Sequence, residues 1–121
     1  MKAVILILFT SIVTFIPGCK KEPSTQVPAG TPACVTAAIE ANKNNLNREI
    51  GSIDEYEFQG KTVYAFEPDN RMIADAATII NDANCARICS VGGFGGPANS
   101  LCNGENFYQK AVLRRNIWKK Y

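Results

Sequence analysis

Five cysteines, eleven acidic residues and no histidine bound the chemistry open to this chain of 121 residues. Without an imidazole, a base working near neutral pH has to be a carboxylate, and the most closely spaced set is Asp54, Glu55 and Glu57. Acids that alternate along a strand more commonly form a solvated face, which is the reading preferred here. Ser90 and Ser100 have no evident base to activate them, and Asp69, Asn70 and Asp75 lack the spacing and the glycine of a calcium loop. Four thiols, Cys34, Cys85, Cys89 and Cys102, could ligate zinc, but such sites use close pairs such as C-x2-C. The closest pair here is Cys85-x3-Cys89, so no metal is expected. In an extended strand those two stand about 13 Å apart, beyond the Cα separation of about 7 Å that a bridge tolerates, so they need different partners. Of the three connectivities that four cysteines allow, the preferred one joins Cys89 to Cys102, closing a glycine-rich loop, and Cys34 to Cys85, pinning a helix to a sheet.

That loop, Gly92-Gly93-Phe94-Gly95-Gly96-Pro97, has neither the Gly-Lys-Ser/Thr ending of a P-loop nor the spacing of a dinucleotide fingerprint. It is expected to be structural. Phe94 is either an exposed contact residue or, the preferred reading, a plug that caps the core. No cofactor is implied.

The fifth cysteine, Cys19, closes the run Ile16-Pro17-Gly18-Cys19 behind a single charge at Lys2 and an apolar stretch from Ala3 to Ile16. That is the anatomy of an export signal. A membrane-spanning helix needs about 20 apolar residues to cross roughly 30 Å of hydrocarbon, and this stretch is shorter. The run resembles the lipobox of bacterial lipoprotein precursors, with Gly18 before the cut and Ile16 as the apolar residue two places earlier; Pro17 is unusual there. The resemblance implies removal of residues 1–18 and acylation of the Cys19 thiol and then its freed amine. It also accounts for the odd cysteine, leaving an even set for an oxidising compartment. Since one acyl chain binds a bilayer only marginally, two or three on one residue imply a lasting anchor.

With Lys2 in the leader, the 13 basic residues fall to 12 against 11 acidic ones, so no polyelectrolyte partner and no nucleic acid is implied. The charges are nevertheless segregated. Residues 40–82 hold most of the acids, whereas Lys110, Arg114, Arg115, Lys119 and Lys120 share the last fifteen positions with no acid. The expectation is a basic terminal element that answers the acidic segment within one fold.

The elements that must position these groups begin after a tether, residues 19–30, whose Pro23, Ser24, Thr25, Pro28 and Gly30 carry no apolar pattern. From Lys20 onward its eleven residues span at most about 35 Å. Residues 31–121 form one small domain, in which bridges would supplement a modest core. Thr31-Pro32 reads as an N-cap with proline at the first helical position, and Val35, Ile39, Leu46 and Ile50 recur at helical spacing to about residue 49, with a stop near Gly51. Ile53 to Phe58 and Lys61 to Phe66 read as strands joined at Gln59-Gly60, with Tyr56, Phe58, Val63 and Ala65 on one face and Tyr64 and Phe66 on the other. Pro68-Asp69-Asn70 is a turn. Residues 71–91 fit either a helix or a second hairpin turning at Asp82-Ala83-Asn84; the hairpin is preferred, with a short helical turn near 71–76. A turn of helix around 105–109 and a last strand over 112–119 complete an α+β fold, one N-terminal helix packed on an antiparallel β-sheet with two disulfides. Tyr64 and Trp118 are expected in the core.

The run Gly60-Lys61-Thr62-Val63-Tyr64 with Phe66 and Pro68, then Arg87-Ile88-Cys89 before Gly92-Gly93, Cys102, and Ile117-Trp118-Lys119 resemble small exported lipoproteins of Bacteroidota in a domain family of unknown function. The resemblance spans about residues 32–120. The chain departs from that pattern in lacking a cysteine pair after Pro68 and in having Cys85 where a turn glycine is usual. No catalytic residue is implied. The expectation is a lipid-anchored envelope protein, outer-membrane in the periplasm or at the surface, that binds an envelope protein, a peptide or a glycan. Lys20-Lys21-Glu22 only faintly resembles a charged surface-export signal. The alternatives are an inhibitor or immunity-type protein, for which Gly92 to Pro97 is the contact loop, and a hydrolase built on the acidic strand.

Overall fold

A computed structural model describes residues 18, 26–43, 49–71 and 75–121. Helix α1 (Ala33–Lys43) is followed by strands β1 (Ile50–Phe58), β2 (Lys61–Pro68), β3 (Ala77–Asn81) and β4 (Arg87–Gly92). A 3-10 segment (Gly93–Ala98), the short strands β5 (Leu101–Cys102) and β6 (Glu105–Asn106), helix α2 (Phe107–Lys110) and strand β7 (Val112–Lys119) follow. The main sheet has five strands in the order β4-β3-β2-β1-β7, every pair antiparallel. The last strand therefore returns to pair with the first, which puts the basic end of the chain beside the acidic β1.

Period-two alternation assigns each β1 and β2 side chain to a face. Ile53, Tyr64 and Phe66 join Val35 and Ile39 of α1 with Ile117 and Trp118 of β7 in one buried cluster. On the opposite face Phe58, Val63, Ala65, Ile80 and Val91 are buried, covered by Cys102 and Phe107. Residues 93–111 thus form the second cover, and both faces of the sheet are dry where the aromatics require it. The expected faces of the first hairpin, and the core positions of Tyr64 and Trp118, are those observed. Val27 packs against the α1 cluster, and the Ala29 carbonyl accepts a bond of 2.9 Å from Arg115, so the residues just before Thr31 lie on the domain.

The β1-β2 turn has Gln59 and Gly60 at φ 51° and 72°, and the β5-β6 turn has Asn103 and Gly104 at 48° and 83°. Positive φ at both central residues is the turn whose twist matches a two-residue hairpin. The two turns are clipped together where Asn103 Nδ2 donates to Gln59 Oε1 at 2.8 Å. The second hairpin, β3 with β4, is present. Its turn is organised by Asp82, whose Oδ1 accepts from the N–H groups of Asn84 and Ala86 at 2.8 and 2.9 Å.

Three sequence expectations are corrected. The helix does not run from 32 to 49: it is Ala33–Lys43, and Ile50, assigned by spacing to its apolar stripe, instead opens β1 opposite Pro68. Leu46 lies outside the described residues. Thr31 is not the N-cap, because its hydroxyl turns back to donate to the Pro28 carbonyl at 2.7 Å, while the Pro32 carbonyl accepts from Val35 and Thr36. The strands are longer than read, since pairing continues to Ile50 and Pro68. The helical turn expected near 71–76 falls largely on residues 72–74, outside the described part.

Candidate functional site

Cys19, the proposed acylation site, lies outside the described residues; Gly18 before it is exposed. The four remaining cysteines form two disulfides, Cys34–Cys85 with Cα atoms 6.1 Å apart and Cys89–Cys102 at 5.4 Å. Cys85 lies in the β3-β4 turn rather than in an extended strand, at φ 60°. That left-handed conformation favours glycine. Here a cysteine holds it, and its sulfur ties the turn to the first turn of α1.

The Cys89–Cys102 bridge brackets the glycine-rich segment. Within it the Gly92 N–H donates to the Asn99 carbonyl at 2.6 Å, Asn99 Nδ2 donates to the Gly92 carbonyl at 2.8 Å, and the Asn99 N–H donates to Gly96. The loop from Gly92 to Pro97 thus runs from the last residue of β4 into the 3-10 segment Gly93–Ala98, closed on itself by the Gly92–Asn99 bonds and kinked at Gly96. Phe94 does not plug the core. Its side chain is 94 % exposed, because the core position beneath is filled by Val91, Cys102 and Phe107. Phe107 is the ring that packs there, making edge contacts with Tyr56 and Phe58, both at 5.2 Å between centroids.

The strand acids are not a free carboxylate pair. Glu55 accepts from Arg115 Nη2 at 2.9 Å and from the Tyr64 hydroxyl at 3.3 Å, Glu57 pairs with Arg114, and Asp54, on the opposite face, accepts from Asn116 at 2.6 Å. The Glu55 hydrogen bond and charge hold the Arg115 guanidinium above its usual range. Burial, then the Glu55 charge, push the Tyr64 phenol up. The basic terminal strand answers the acidic segment as expected at Arg114, Arg115 and Lys120. Ser100 is buried and its Oγ accepts from Asn106, while Ser90 lies in β4.

A feature the sequence reading did not foresee occupies the end of the sheet where β1 starts and β2 and β7 finish. Asp69, expected only as a turn residue, is 4 % exposed. Its Oδ2 accepts from Lys120 Nζ at 3.2 Å, and its Oδ1 accepts from the Arg71 N–H at 3.1 Å. Burial alone would raise the carboxyl pKa; the Arg71 N–H, the Lys120 hydrogen bond and the two cationic charges outweigh it and hold the group below the ordinary carboxylate range. Gly51 lets the strands close over this carboxylate, since a Cβ there would lie 3.0 Å from the Asp69 Cα and 3.1 Å from the Pro68 carbonyl oxygen. Above the pair opens a cleft of about 460 Å³ lined by Ser52, Glu67, Asn70, Arg71, Lys119 and Tyr121 among others. The Arg71 guanidinium stacks 3.2 Å over the Tyr121 ring. No group of three metal-ligating side chains occurs among the described residues, and no helix among them is long and apolar enough to cross a membrane.

The fold and its cross-links define a small disulfide-bonded α+β domain: one helix on a five-stranded antiparallel sheet, with a short excursion covering the second face. A profile of the family described as a domain of unknown function (DUF6970) matches residues 38–120. The chain belongs to that family. No curated protein and no solved structure matches it.

Proposed function

We propose that this protein is a lipid-anchored binding module of the bacterial cell envelope, held at the outer membrane through acyl chains on Cys19 after loss of residues 1–18, and that it acts by contact rather than by catalysis. The observation that carries the binding role is Phe94, an aromatic side chain 94 % exposed on a segment closed by its own hydrogen bonds and bracketed by a disulfide. An aromatic held out on a rigid support loses little freedom on association, which is what an interface anchor requires. The same feature favours a second reading, an inhibitor or immunity-type protein whose loop enters a partner's cleft. The anchor is supported by the lipobox-like run and by the even set of bridged cysteines that remains without Cys19.

Metabolic labelling with a fatty acid tests the anchor: label is expected on the wild-type protein and absent from Cys19→Ser. A mature terminus at another position would overturn it. Cross-linking from native envelopes tests the loop, with Phe94→Ala expected to lose the partner captured by wild type while folding unchanged. Undiminished capture by that variant would move the contact elsewhere.

A further inference from the structure

We propose that the cleft above Asp69 is an oxyanion-binding site, taking the carboxylate or phosphate group of a small ligand between Arg71 and Lys119. This goes beyond the anchored binding role and does not depend on it.

The floor comes first. Asp69 and Lys120 are both nearly inaccessible, with side chains 4 % and 7 % exposed, and they satisfy one another. Neither charge reaches a ligand unopposed; together they fix the β2-β3 connection against the end of β7, and the Lys120 N–H donates to the Gly51 carbonyl to complete the tie.

On that floor stands a wall of donors. Arg71 reaches Asp69 only with its Nε, at 3.6 Å, and its guanidinium carbon sits 3.2 Å from the centre of the Tyr121 ring, yet its side chain remains 61 % exposed. The planar fork is therefore oriented while its two terminal nitrogens have no acceptor among the described residues. Such a fork matches the geometry of a carboxylate or phosphate edge. Lys119, Ser52 and Asn70 line the same cleft, and none of their side chains has a side-chain partner among the described residues. Of the two acids present, Asp69 is neutralised by Lys120, and Glu67 accepts from the Thr78 hydroxyl at 2.8 Å. Arg71, largely exposed, and the neighbouring Lys119 make a negative group the complementary ligand. The volume suits a small molecule or one unit of a larger one.

The test is a titration of the full 15N-labelled chain in uncharged detergent micelles, at fixed ionic strength, with inorganic phosphate, with glucuronate, and with chloride as the comparison. Saturable shifts at the Arg71 side-chain Nε–H and at the Gly51, Ser52 and Asn70 amides are expected with one or both oxyanions. Phosphate alone or glucuronate alone would identify the chemistry taken. Arg71→Gln should weaken the apparent affinity by roughly tenfold or more, as expected for loss of a charge-assisted hydrogen bond, while Lys61→Gln on the distant hairpin should leave it unchanged. Linear or absent shifts, an equal response to chloride, or full affinity in Arg71→Gln would overturn the proposal.

Discussion

Asp69 carries a full negative charge where solvent scarcely reaches, and its stability contribution therefore depends on pH. Its folded pKa lies below the ordinary value of 3.8, so at acid pH the unfolded chain binds the proton first. The contribution is complete above about pH 4 and is lost as pH falls through the lowered folded value. Acid unfolding followed by circular dichroism should show a steep limb below pH 4 in wild type. In Asp69→Asn the protein should be less stable at pH 7 and the limb flatter; an unchanged limb would show that other carboxylates control it. This residue illustrates what spacing along a chain does not reveal. Pro68-Asp69-Asn70 correctly reads as a turn, but the Lys120 that makes Asp69 a buried ion lies 51 residues away and meets it only because β7 returns beside β1. Phe94 differs from its sequence reading for a related reason: an aromatic among glycines reads as a plug, but the ring that fills the core, Phe107, comes from thirteen residues downstream.

The elements differ in how they are held. Helix α1 meets the sheet mainly through Val35 and Ile39, and the Cys34–Cys85 bridge spans 51 residues, against 13 for Cys89–Cys102. If bridges act by restricting the unfolded chain, the longer loop contributes about 4 kcal/mol and the shorter about 3 kcal/mol. Urea unfolding of Cys34→Ala/Cys85→Ala should accordingly show the larger loss, together with loss of protection from hydrogen exchange in α1. Cys89→Ala/Cys102→Ala should instead loosen residues 93–101 and leave α1 protected. Most elements were legible because each strand carries its own alternation and each hairpin its own turn residues. The exceptions follow from competition between local signals and pairing. Ile50 fits the helical period, yet the ladder of β1 claims it, and the β5-β6 hairpin was overlooked although Asn103-Gly104 is a strong signal for it.

At the scale of the whole molecule, opposite charges from the two halves of the sequence meet across the β1-β7 ladder. That complementarity could be anticipated from composition because an antiparallel return of the basic end brings unlike charges opposite one another, whereas the register, with its two irregularities along β1-β7, could not. Glu57 and Arg114 are both about half exposed, so their coupling should be small, about 0.2–1 kcal/mol. A double-mutant cycle with Glu57→Gln and Arg114→Gln, measured at low and high salt, should find that value and see it shrink with salt. A coupling above that range would mean that the pair is better shielded than its exposure implies.

Val27 rests on the core and the Ala29 carbonyl accepts from Arg115, so were the chain fastened at Cys19, residues 20–26 could set the domain no more than about 25 Å from its anchor. A globule of this size has a radius of gyration of about 12 Å. That reach would be no greater than the breadth of the domain, and the first described residues of the domain's N-terminal end lie at one flank, with Ala29 beside β7. Such a protein would ride close to its bilayer with a preferred attitude, so that partners would meet only the surfaces turned away from that flank.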